Sequence, residues 1–412
     1  MGMKARRLAQ SAFAALFCAT LVAFAAASLA VHGPAMYGKL SEIALPASAR
    51  EARAAFAALE DILCADLYGG TALSEAHAFV QRFMGKHETN GFEILRGEDG
   101  FLEYGRLDPD PPEIASAYAG RLWRLQSRTE AHGGKFLFIS PPPRHRRYDE
   151  GTYAPGLPYP DLHALYDAVF YHLHRCGVAG IDLRAEFERA GLPFEARGFR
   201  TDDRLTAEAA FEAFRAAVGT LNRDFGAALD PDGFYENLSH YKKETYARSF
   251  LGVLGKRAGT AFGGLDDFTV LWPAFPSAYT LSIREEDGFE QTWAGPGATL
   301  LLRPSVLKAA AEARNPLRGD LYDVYMGGAH LDARIRNLSA PKGAPKLLLI
   351  HDGGGAPLAV LLAPLFREVR VVCPVASAEP DAAVRLHNRL EGFAPDYVIV
   401  ESRAENLDRV LP

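Results

Sequence analysis

Short apolar runs alternate with longer amphipathic stretches along this chain. KFLFISPPP (135–143), KLLLIHDGGG (346–355), VRVVCP (369–374) and PDYVIVES (395–402) each hold an apolar block closed by prolines, glycines or polar residues. Such blocks predict strands covered on both faces. VAGIDLRAEF (178–187) reads as one more strand. Helices are predicted between them over IASAYAGRLWRLQSRTEAHGG, LHALYDAVFYHLHRCG, APLAVLLAPLF and LTAEAAFEAFRAAVGTLNRDFG. The last is capped by Thr206 and places Phe211, Phe214, Val218 and Leu221 on one face. Strands separated by helices of this length imply parallel βαβ units and a three-layer α/β/α sheet. Ligands of such sheets sit beyond the carboxyl ends of the strands. Ser140, Asp182 and the stretch from His351 to Gly355 should therefore share one rim.

Three regions depart from the alternation. GFEILRGEDGFLEYG (91–105) reads as a hairpin around a Gly-Glu-Asp-Gly turn. Residues 44–88 are rich in good helix formers, with Phe56, Leu59, Ile62 and Leu63 near helical spacing. Residues 225–340, rich in glycine and aromatics, read as an insertion of short strands and loops packed against the sheet. The N-terminus has a different character. Lys4, Arg6 and Arg7 precede an uncharged stretch of 19 residues, Ala12–Ala30. It reads as a signal peptide or as a signal anchor, and either would export the remainder of the chain. The expected organisation is a leader over 1–30, a helical region over 31–90 and the α/β domain over 91–412.

Composition narrows the function. A formal net charge of −6 without a basic block excludes nucleic acid as the expected partner. Beyond Cys18 in the leader, Cys64, Cys176 and Cys373 are too few and too far apart for a zinc site. One disulfide is possible, and buried inert thiols are the expectation. No metal and no organic cofactor are expected. HDGGG matches neither the P-loop nor the dinucleotide fingerprint, so its glycines read as a tight turn. His145 lies in a basic loop, PPPRHRRY, suited to solvent or to an anionic group; His172 and His174, two apart, do not share a helix face. In GFRTDDRLTAEAAF, Asp202 and Asp203 read as caps or as charges favourable at a helix N-terminus, with Arg204 paired to one of them.

Taken together, these stretches resemble the DHHW family and its relatives, the AlgX/AlgJ-type SGNH-hydrolase-like proteins of the bacterial envelope. RGEDGFLEYG resembles the family hairpin, KFLFISPPP its first strand, and TDDRLTAEAAF the block that names it. FLGVLGKRAGTAFGGLDDFTVLWPAF resembles the segment between the catalytic blocks. YMGGAHLDARIRN, succeeded by KLLLIHDGGGAPLAVLLAPLFREVRVV, resembles its glycine pair and nucleophile strand. The likeness covers about residues 90–405. It implies a flavodoxin-like α/β/α sandwich. Active members are similar to serine esterases and acetyltransferases acting on exported polysaccharide or peptidoglycan. Their serine comes after the KLLLI-type strand, and a histidine two residues after an aspartate is its base.

This sequence departs from that pattern at two positions. On the family's blocks, the aspartate is Asp202, Arg204 stands for the histidine, and Gly353 stands for the serine, with Asp352 kept beside it. A guanidinium cannot act as general base, and glycine carries no nucleophile. The resemblance thus implies a degenerate enzyme that binds envelope glycan or a partner, such as a membrane O-acyltransferase. Arg204, His351 and Asp352 are its candidate binding groups, Arg204 toward a carboxylate. Two other readings stay open. One is an active O-acetyltransferase or acetylesterase using His351, Asp352 and Asp202, with Ser140 a lesser nucleophile. The other is an anchored scaffold of an export complex, held in the periplasm or membrane by the N-terminal helix.

Overall fold

The computed structural model describes residues 70–105, 113–144, 156–159, 162–284, 288–313, 315–317, 319–376 and 392–411, with parts of 15–38. The chain divides into two units, Met1–Val80 and Gln81–Pro412. Residues 22–31 are helical, and among the described residues no helix is long and apolar enough to cross a membrane. Of the expected helical region 44–88, residues 44–69, with Cys64, lie outside the described residues; Gly70–Phe83 is a helix.

The strands run β1 (Glu88–Thr89), β2 (Ile94–Arg96), β3 (Leu102–Tyr104), β4 (Lys135–Ser140), β5 (Gly180–Asp182), β6 (Tyr241–Phe250), β7 (Asp266–Pro273), β8 (Ala278–Arg284), β9 (Glu290–Pro296), β10 (Asp332–Asn337), β11 (Lys346–His351), β12 (Glu368–Val372) and β13 (Tyr397–Glu401). Eight form one sheet in the order β5-β4-β13-β11-β12-β10-β8-β9. The first five are parallel, and β10, β8 and β9 extend the sheet antiparallel. The predicted hairpin is β2–β3, joined by β1.

Both faces of the parallel part are covered, which is why its strands are continuously apolar. Leu347 and Leu349 of β11 and Ile399 of β13 pack on one face with helices Ala207–Phe225 and Ala356–Leu362. Their neighbours Leu348, Ile350, Val398 and Val400 pack on the other with helices Ile114–Ala131, Leu162–Cys176 and Leu407–Val410. The period-2 alternation of side chains divides each strand between two cores. Thr206 caps helix Ala207–Phe225 as expected, its hydroxyl accepting from Ala209 N at 3.2 Å, and Gly226 ends it at φ +66°.

Three expectations are corrected. VAGIDLRAEF is not one strand: Asp182 caps a helix, Leu183–Arg189, by accepting from Arg184 N at 3.0 Å, so the strand stops there. The insertion does not merely pack against the sheet. It supplies β8, β9 and β10 to it, and only β6 and β7 form a separate ribbon. Cys176 is exposed where helix Leu162–Cys176 ends and turns through Gly177, whereas Cys373 is buried; neither is in a disulfide.

Candidate functional site

Register brings the carboxyl ends of the parallel strands to one rim. Ser140 pairs with Asp182, Glu401 with Ile139, and His351 with Glu401. Ser140 is fully buried, its hydroxyl turned to Pro141 O at 3.5 Å, and is not available as a nucleophile. Asp182 is occupied by Arg184, at 2.7 Å and 3.0 Å. His172 and His174 lie on helix Leu162–Cys176, and His145 is outside the described residues.

The loop before helix Ala207–Phe225 carries the first half of the site. Asp202 has 0% exposure, yet its carboxylate is fully bonded. Oδ1 accepts from Arg204 N (2.9 Å) and Nε (2.6 Å), and Oδ2 from Arg204 Nη2 (2.7 Å) and Val253 N (2.9 Å). The last bond needs a close backbone approach. A Cβ on Gly252 would fall 2.1 Å from Asp202 Cβ, so only glycine fits there. Arg204 Nη2 also donates to Asp320 Oδ2 at 2.8 Å, and its guanidinium lies 4.1 Å over the Tyr322 ring. Burial alone would raise the Asp202 carboxyl, but Arg204 and the hydrogen bonds outweigh it and hold it at about 2. Burial likewise opposes the Arg204 charge, and Asp202 and Asp320 more than offset it. Asp202 and Arg204 thus pair, as the sequence suggested, but the helix cap is Thr206 and not an aspartate.

The glycine turn carries the second half. Gly353 has φ +107°, a conformation that side-chain-bearing residues rarely adopt, although a Cβ there would meet only Val375 Cγ2 at 3.7 Å. His351 is 1% exposed. Its Nδ1 accepts from Gly353 N at 3.1 Å and Gly355 N at 3.2 Å, which assigns the ring proton to Nε2. Burial pushes its pKa down to about 4 against the pull of Asp352. The ring's one lone pair is thus engaged by two backbone amides. Asp352 holds the turn to the end of β13: its Oδ2 accepts from Arg403 N (3.1 Å) and Asn406 Nδ2 (2.8 Å). Cys373, at the end of β12, is buried, and burial pushes its thiol up to about 12, so it is inert.

Four residues that sequence reasoning did not single out join the halves. The Tyr322 hydroxyl lies 3.2 Å from Leu205 O and 3.1 Å from Gly354 O, bridging loop and turn. Asp320 caps the short helix that carries Tyr322. Arg403 binds Asp203, Nη1 donating to its backbone oxygen and Nη2 lying 2.8 Å from Oδ2. Glu401 is 1% exposed, and burial, reinforced by Asp352, pushes its pKa well up. A Cβ on Gly354 would stand 3.6 Å from Asp352 Oδ1, 3.7 Å from Glu401 Oε1 and 3.9 Å from Arg204 Cγ. The polar Glu-Ser-Arg that closes the apolar run of β13 was the signal available in the sequence, parallel to the His-Asp that closes β11.

Beside the loop opens a groove of about 260 Å³. Phe101, Phe194, Phe199, Arg184, Arg197 and Asp203 are among its walls, and Asp202 and Arg204 reach it. Aromatic faces mixed with charged and polar groups suit a hydroxylated ligand. Among the described residues, no cluster of side chains has the composition of a metal site.

No family model and no curated protein matches the chain. Solved structures do. Bacillus cereus PatB1 bearing a sulfonyl adduct aligns at TM-score 0.57 and 14% identity, covering 76% of this chain and 94% of that one. A second PatB1 structure gives 0.55, 14%, 76% and 96%. A DHHW family protein from Eubacterium siraeum gives 0.49, 15%, 76% and 94%. At these identities the likeness concerns architecture: the chain has the fold of Bacillus cereus PatB1, a mixed sheet between two helical layers.

Proposed function

We propose that this chain is an exported envelope protein on the scaffold of polysaccharide or peptidoglycan O-acetyltransferases and esterases, and that it binds envelope glycan without forming an acyl-enzyme. The observation that carries the reading is the Asp202–Arg204–Asp320 arrangement. A permanently charged guanidinium, closed between two carboxylates, occupies the place that the resemblance assigns to the base. Gly353, at the place of the nucleophile, offers no side chain. Loss of a catalytic serine costs on the order of a millionfold in turnover. The groove beside Arg204 is the proposed glycan site, and the apolar stretch Ala12–Ala30 supports export. A membrane O-acyltransferase is the partner class that fits such a role. His351, the centre of the active-enzyme reading, lends it little: its ring is buried and its lone pair is taken by two amides.

Acetyl-ester hydrolysis and fluorophosphonate labelling of the purified chain test this. Neither is expected from the native protein, nor from His351→Ala. Clean labelling at a single serine, or turnover abolished by His351→Ala, would overturn the reading. The double variant Arg204→His with Gly353→Ser has room for the added Cβ but must carry the side chain at φ +107°, so partial restoration is the expected result.

A further inference from the structure

A second cavity, of about 320 Å³, lies between the β6–β7 ribbon and the helix Pro304–Ala313; Phe250, one of its walls, also stands 5.8 Å from the Arg204 guanidinium. Its size falls in the range of small-molecule sites, roughly 300–1,000 Å³. Leu251, Leu265, Leu307, Leu321 and Ala310 make its walls largely aliphatic. Such a hole does not hold water well and takes apolar groups readily.

Its mouth is built differently. The pairing of β6 with β7 breaks register between Tyr246 and Phe250, and inside that break Arg248 sits at φ +47°. The Arg248 amide donates to Asp267 Oδ1 at 2.7 Å, which fixes the bulge. Glycine would take this conformation at little cost, whereas arginine takes it against its preference. Bulges of this kind re-aim side chains. Here the bulge sets an exposed arginine on the rim of the aliphatic cavity. Among the described residues, no carboxylate pairs with its guanidinium. An aliphatic hole with an unpaired cation at its edge is complementary to one class of molecule.

We propose that this cavity binds a single aliphatic chain ending in a carboxylate, the hydrocarbon among the leucines and the carboxylate on Arg248. The volume suits one chain and not the two of a phospholipid. The inference uses neither Arg204 nor Gly353 and stands apart from the glycan reading.

Calorimetric titration of the full chain with decanoate, below its micellar concentration, tests it. One decanoate per chain is expected, with affinity falling about fourfold for each methylene removed. Arg248→Gly, which also relieves the backbone, should weaken decanoate at least tenfold and leave uncharged decanol unchanged. Ala310→Phe should abolish binding of both, and Ala311→Phe on the same helix replaces it if that variant does not fold. Absence of saturable binding would overturn the proposal, as would binding indifferent to the phenylalanine or decanoate affinity unchanged in Arg248→Gly. Capture by phospholipid vesicles without any decanoate binding would overturn it in favour of a membrane surface.

Discussion

The loop of residues 201–206 and the turn of residues 351–355 meet at one rim, and burial has opposite consequences in them. In the loop, Asp202 and Arg204 stay charged because every oxygen of the carboxylate and most of the guanidinium fork have partners. At the turn, His351 and Glu401 are equally buried but have no partner of opposite charge so closely bonded, and burial pushes both toward the uncharged form. Depth alone therefore does not decide charge; the hydrogen bonds available at that depth do. The loop thus holds its charges within a closed network, whereas the turn holds its imidazole against backbone amides.

The contrast can be broken most forcefully at Asp202. Asp202→Ala leaves Arg204 with only Asp320 and should cost about 3–5 kcal/mol in urea unfolding. Adding Arg204→Met should recover part of that loss, because the orphaned charge goes too. An additive double variant would show that the two do not act as a unit. Acid separates the regions next. The folded-state pKa of His351 is lowered, so its contribution is complete above about 6.5 and is lost as pH falls toward about 4, on the order of 3 kcal/mol. Asp202, also lowered, loses its contribution only as pH falls from 3.8 toward about 2. Stability curves should thus show two acid steps, and His351→Asn, which keeps an acceptor for the amides, should flatten only the upper one. The smallest effect compares two adjacent glycines. A Cβ on Gly355 would stand 2.6 Å from His351 Cβ and 2.8 Å from Glu401 Oε2, so Gly355→Ala should cost about 1–3 kcal/mol. Gly354→Ala, with nothing nearer than 3.6 Å, should fall below about 1 kcal/mol by the same measurement.

Much of the scaffold was legible because its signals are local. The apolar blocks at 135–140, 346–351, 369–372 and 397–401 are strands of the parallel part of one sheet, and Thr206 caps its helix. What failed was non-local or ambiguous at short range. Asp182 belongs to strand and cap together, so the run VAGIDLRAEF hid a helix. Nothing in the glycine- and aromatic-rich insertion signalled that β10 would pair with β12 and β8 with β10, since pairing partners leave no trace in periodicity. At the site, the pairing of Arg204 with an adjacent aspartate was readable. Its second partner, Asp320, and the Arg403–Asp203 contact were not, because they join stretches that are distant along the chain. The orientation of His351 was open for the same reason, being decided by the neighbouring strands that bury the end of β11.

Tyr322 gives this distance a kinetic meaning. Its hydroxyl reaches Leu205, 117 positions away, and Gly354, 32 away, while Arg204 spans 116 positions to Asp320 and Arg403 spans 200 to Asp203. Closing such loops costs chain entropy before any contact repays it. The helices and hairpins can form from nearby residues, but the rim cannot exist until sheet, insertion and C-terminal strand have all arrived. A chain lacking β13 and the residues after it would lose the Arg403 and Asn406 contacts that hold Asp203 and Asp352.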